Sequence, residues 1–145
     1  MDFSVYGDPL VPRQSRALVN GCPAIEVLLR ESFTGVTSLR ILLSDTGAGA
    51  RFGPADLILS PRDIEQFGIS QTGSAGTSGA LQGQYPVFLM ELEMPALGIF
   101  CSVRVLSVPA THFFPGFDGF ACFRFLNSFT YGNFGNPAEF GLELN

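Results

Sequence analysis

The sequence predicts a turn-rich, all-β domain with one or two short helices, and three observations predict it. Hydrophobic residues make up 46% of the chain and charged residues only 14%, which is ample apolar material for one core. Its 17 glycines and 10 prolines punctuate that material often, as suits short strands joined by turns rather than a helical bundle. The apolar segments between them are short and either alternate or run briefly unbroken, the two patterns that strands produce. At 145 residues the chain is a usual size for one domain, and residues 1–145 are read as one.

The first residues are polar and Pro-containing, and a flexible N-terminus is expected over about 1–14. Asn20-Gly21 is a turn dipeptide, predicting a hairpin between Arg16–Val19 and Ala24–Leu29. A second turn at Ser32–Gly35 leads into Thr37–Leu43, which alternates and then becomes wholly apolar before ending at Asp45. Leu57-Ile58-Leu59 predicts a short buried strand. Helix signals follow: Ser60 as N-cap, Pro61 at the first helical position, Asp63 in the first turn and Gly68 as a left-handed terminator, for a helix over Pro61–Phe67.

From Ser70 to Gln84 the residues are nearly all Gly, Ser, Thr, Gln and Ala, which predicts a mobile loop that packs poorly and acts as a lid or binding loop. Two strands follow, Tyr85–Met94 and Gly98–Val108, around a turn at Pro95, Ala96 and Leu97. The last third is rich in Phe, read mostly as core. Phe125 and Phe129 lie four apart on one face of an expected helix over Phe123–Ser128. Tyr131–Phe134 and Glu139–Leu144 read as closing strands, the last alternating Phe140, Leu142 and Leu144.

Composition excludes several functions. A net charge of −5 with scattered basic residues argues against nucleic-acid binding. No apolar stretch has the roughly 18 residues of a membrane-spanning helix, so no membrane association is expected. The N-terminus carries Asp2 and Asp8 and no basic patch ahead of an apolar block, so no secretory signal is read and cytoplasmic residence is expected. Cys22, Cys101 and Cys122 are too dispersed for a disulfide framework or metal motif and are read as reduced, mostly buried thiols. With His112 as the only histidine, no metal and no cofactor are expected.

His112 also leaves nucleophilic catalysis without a base of recognisable context, and Gly76-Thr77-Ser78-Gly79 is not a nucleophile elbow. Gly47-Ala48-Gly49-Ala50 does not complete a phosphate-binding fingerprint, and Asp45 would repel a phosphate. A carboxylate at the end of a buried strand remains. Amide hydrolysis needs one group to take a proton from water and another to protonate the departing group. Two carboxyls about 3 Å apart divide those roles, because they cannot both ionise easily.

Leu42-Leu43-Ser44-Asp45-Thr46-Gly47-Ala48 resembles the active-site loop of the retropepsin-like aspartic proteases. Phe117–Leu126 is similar to the family's later segment, a strand under that loop running into a short helix. Gln71–Gln84 lies between them, where the family has its flap. The resemblance spans about Ala17–Leu144 and implies a closed, barrel-like acid-protease fold and a homodimer acting on peptide or protein substrates. Asp45 from each subunit would be catalytic, Thr46, Gly47 and Ala48 would support the loop, and Gly76, Thr77, Ser78 and Gly79 of a flap over about 71–84 would contact substrate. Asp118-Gly119 lacks the Thr of the motif and reads as a turn. Gly49, Cys122 and Arg124 depart from the family pattern and motivate the alternative, a catalytically inactive domain of this fold for dimerisation or peptide binding.

Overall fold

Ten strands and two short helices account for most of residues 11–46, 55–77 and 83–145, which the computed structural model describes. In chain order they are β1 (Arg13–Ala17), β2 (Ala24–Arg30), β3 (Thr37–Asp45), β4 (Leu57–Leu59), α1 (Pro61–Phe67), β5 (Gly68–Thr77), β6 (Gly83–Met94), β7 (Ile99–Ser107), β8 (Gly119–Cys122), α2 (Phe123–Leu126), β9 (Phe129–Gly132) and β10 (Glu139–Leu144). The expected all-β fold with a closed barrel is present. Its strands run β2-β3-β8-β4-β7-β6, and pairing of β2 with β6 closes the ring. β5 extends the barrel as a hairpin on β6, and β1, β10 and β9 form a separate antiparallel sheet.

Alternation along the strands explains how the core divides. On β4, Leu57 and Leu59 join a cluster with Leu42, Met90, Val105 and Phe125, whereas Ile58 joins another with Leu43, Leu106, Phe120 and Cys122. Both faces of β4 are therefore buried, and its unbroken apolar run follows from that. β3 reads the same way, with Leu42 on one side and Leu43 on the other.

Helix α1 forms where expected. The Ser60 hydroxyl accepts from the Asp63 backbone N–H at 3.3 Å, and Asp63 also holds Arg40 of β3 through both carboxylate oxygens, with distances of 2.8–3.1 Å. Asp63 thereby raises the Arg40 pKa and anchors the helix to the barrel. Gly68 does not end the helix in a left-handed turn. Its φ of −65° and ψ of 138° carry the chain straight into β5. Glycine is needed there for space, since a Cβ would sit 2.6 Å from the Ile64 carbonyl oxygen.

Other expectations are corrected. Asn20 and Gly21 do make the turn, with φ of 51° and 75°, but it closes on one bridge, Val19 to Cys22. Pro23 has no N–H to continue a ladder, and β1 pairs instead with β10. Arg13 and Gln14, expected in a flexible N-terminus, lie in β1; the Gln14 side chain bonds both backbone groups of Glu26 at 2.9 Å. Residues 1–10 of that expectation lie outside the described residues.

The Gly-rich stretch is a hairpin over 68–77 and 83–94 rather than a loop, with residues 78–82 outside the described residues. Its ladder uses main-chain groups, which Gly and Ser provide as well as any residue. Helix α2 ends at Leu126, two residues early, in a turn where Ser128 N–H donates to Phe125 O. The strand expected at Tyr131–Phe134 starts and ends two residues earlier, as β9, and Phe134 turns instead with φ of 49°; of the alternating β10 residues Leu142 is buried, Phe140 half-buried and Leu144 exposed. Only Cys122 among the thiols is fully buried; Cys22 and Cys101 are half-buried.

Candidate active site

Asp45 is the last residue of β3, and the neighbouring strand sets its position. β8 runs parallel to β3 with Leu42 opposite Gly119, Leu43 opposite Phe120, Ser44 opposite Ala121 and Asp45 opposite Cys122. The chain enters this register through Asp118, whose backbone N–H donates to Ile41 O and whose carboxylate accepts from Ile41 N–H, both at 2.8 Å. Gly119, expected in a turn, instead opens β8, and Asp118 just ahead of it is a clamp that sets the height of β8 against β3.

By strand alternation Asp45 shares the face of Leu43 and Ile41. That face belongs to the cluster containing Leu43, Ala55, Ile58, Phe120 and Cys122, and Ala75 and Val87 of the β5–β6 hairpin complete it, with Tyr85 packed alongside. The hairpin therefore lies on the same side as the half-buried carboxylate. Register shifts between Gly68 and Ser70 and between Gln71 and Gly73 twist β5 along its length. Pro86 falls where β7 no longer pairs with β6, so its missing N–H interrupts no bond on that side.

Of the residues expected in the loop, Thr46 follows Asp45 as an exposed turn residue, and Gly47, Ala48 and Gly49 lie outside the described residues. Gly76 and Thr77 end β5, and Ser78 and Gly79 lie outside the described residues. His112 is exposed in a single 3-10 turn over Ala110–His112. Among the described residues no cluster of three or more His, Cys, Asp or Glu side chains could hold a metal ion.

Two features escaped the sequence reading. Asp56 ties four segments together: its N–H donates to Arg104 O at 2.8 Å, its carboxylate accepts from Arg104 N–H at 2.9 Å, its carbonyl accepts from Cys122 N–H at 2.9 Å, and Arg124 Nε lies 3.3 Å from its Oδ1. Arg124 therefore forms an ion pair with Asp56 across from β8. Ser44 points away from Asp45 by alternation and buries a hydroxyl that has no hydrogen-bond partner among the described residues. Neither feature has a local sequence signal.

The Cys122 thiol, opposite Asp45 in the register, packs into the apolar cluster with no exposure. Burial pushes its pKa upward, and the charges of Asp45 and then Asp56 push it further. Below the ordinary thiol value near 9 the group is protonated in both folded and unfolded chains. Above it, only the unfolded chain loses the proton readily, so stability falls as pH rises, with a slope approaching one proton. Cys122→Ala is expected to flatten that alkaline slope in urea unfolding series, leaving the smaller share from Cys101, whose thiol burial also pushes upward. An unchanged slope would contradict this placement of Cys122.

Compared with known protein families, curated proteins and solved structures, the chain finds no match in any of the three. No helix among the described residues is long and apolar enough to cross a membrane.

Proposed function

We propose that the chain is a retropepsin-like aspartic endopeptidase that acts as a homodimer. The observation that carries this reading is the setting of Asp45: a carboxylate at the end of a strand locked in parallel register to β8, on the face where the β5–β6 hairpin packs. One such carboxylate supplies half of a dyad. A second copy supplies the other, and the proton they share leaves one carboxylate as base and the other as acid.

In this mechanism the ionised Asp45 takes a proton from a water held between the pair. The water oxygen attacks the peptide carbonyl carbon while the protonated Asp45 donates to the carbonyl oxygen. Collapse of the tetrahedral species breaks the C–N bond, and the amine leaves with a proton returned from the dyad. Thr46 braces the paired loops, Gly47 and Ala48 permit their close approach, and the hairpin tips close over an extended substrate. Substrate backbone pairs with the hairpin strands, and apolar pockets select side chains.

The buried thiol at Cys122 favours a second reading, a domain of the same fold that binds peptide without cleaving it. Incubation with a diverse peptide mixture from about pH 4 to 7, with and without pepstatin, separates the two. Pepstatin-sensitive cleavage is the expected result. An intact dimer that cleaves nothing at any pH would support the binding domain instead.

A further inference from the structure

We propose that the cleft between α1 and the segment 110–118 binds a short aromatic peptide with free termini, at a site independent of the Asp45 reading. The cleft has a volume of about 660 Å³, within the usual range for ligand sites. Arg40, the β3 residue that lines it, is five positions before Asp45, about 16 Å along the strand.

Both walls are fixed to β3. Asp63 of α1 holds Arg40 through paired hydrogen bonds, and Asp118 holds Ile41 through backbone and side chain. The cleft is therefore preformed, which lowers the ordering cost of binding. Arg40 is paired with Asp63 and also feels the charge of Asp118, which leaves Arg62 on the helix wall and Asp118 on the loop wall as the lining charges without a salt-bridge partner among the described residues.

Arg62 is exposed and forms no ion pair among the described residues, whereas Arg13, Arg16, Arg30, Arg40 and Arg124 each have a carboxylate partner. Asp118 uses one carboxylate oxygen on Ile41, and the other accepts no bond among the described residues. Between these charges the loop presents rings. Phe113 and Phe114 stand edge-on to Phe120 at centroid distances of 5.6 and 6.1 Å, and Phe114 is 54% exposed. A separated cation and anion beside an exposed ring complement a zwitterion with aromatic side chains: its carboxylate at Arg62, its ammonium at Asp118, its ring on Phe114.

Calorimetric titration of the full chain with the dipeptide phenylalanylphenylalanine tests this, using its N-acetylated, C-amidated form as the uncharged comparison. We expect one-to-one binding that weakens about tenfold in the capped peptide and in Arg62→Gln and Asp118→Asn, since each removes a charged hydrogen-bond partner. The amide introduced by Asp118→Asn keeps an acceptor for Ile41 N–H, and far-UV circular dichroism checks that each variant is folded. Phe114→Ala should weaken both peptides alike. No binding up to about 5 mM, or binding unchanged by capping and by both charge variants, would overturn the proposal. Asp45→Asn should bind the dipeptide as the parent does; loss of binding there would move the ligand to Asp45 and refute this site without touching the peptidase reading.

Discussion

Under the proposed mechanism Asp45→Asn is expected to lower peptide cleavage by about 10³-fold or more while leaving the fold and the proposed dimer unchanged. An amide cannot take a proton from water and cannot share one with the opposing carboxyl, so both halves of the proposed acid–base chemistry fail together. The side chain is half-buried at a strand end and similar in shape to Asn, so packing of Leu43, Phe120 and Cys122 around it should persist. Steady-state assays on a peptide first shown to be cleaved by the parent chain provide the measurement, with solution mass as the control for association. Undiminished cleavage by this variant would end the proposal that Asp45 is catalytic.

Stability should be hit hardest at Gly119. It opens β8 opposite Leu59 of β4, and a Cβ there would lie 2.1 Å from the Ile58 carbonyl oxygen and 3.1 Å from Leu59 Cδ2. The first contact is with backbone in the middle of a barrel strand and cannot be relieved by a side-chain rotation. Gly119→Ala should therefore destabilise by about 4 kcal/mol or more, or prevent folding outright, as judged from urea or thermal unfolding. Because β8 also sets the register of Asp45, a folded remnant should lose activity as well. A loss below about 1 kcal/mol would mean that β4 and β8 do not pack in this register.

The parts of this fold legible in the sequence are those decided by neighbours along the chain. Ser60, Pro61 and Asp63 specify α1 within four positions, and the run Leu39–Leu43 specifies β3 by its pattern alone. The partner of β1 was not legible, because Arg13 pairs with Glu143 at the far end of the chain and Pro23 blocks the nearer choice. The β5 strand was hidden for a different reason: its ladder to β6 rests on backbone groups, and Gly and Ser carry no strand signature.

The site divides in the same way. Asp45 stands out because it ends an apolar strand in a tight small-residue turn. Its closeness to Cys122 and to the hairpin face was legible only through resemblance, since those contacts join residues tens of positions apart. Arg124 shows the limit most clearly. Its meaning, an ion pair with Asp56, depends on two segments that no periodicity links. Gly68 and Gly119 were legible as glycines but not for the right cause, which is the proximity of a carbonyl oxygen in each case.

A crystal structure of the purified protein decides whether two copies of Asp45 form one site. We expect a two-fold homodimer with the Asp45 carboxyls about 3 Å apart across the axis, within hydrogen-bonding reach of one another. A monomer, or a dimer whose Asp45 side chains face away from each other, would contradict it.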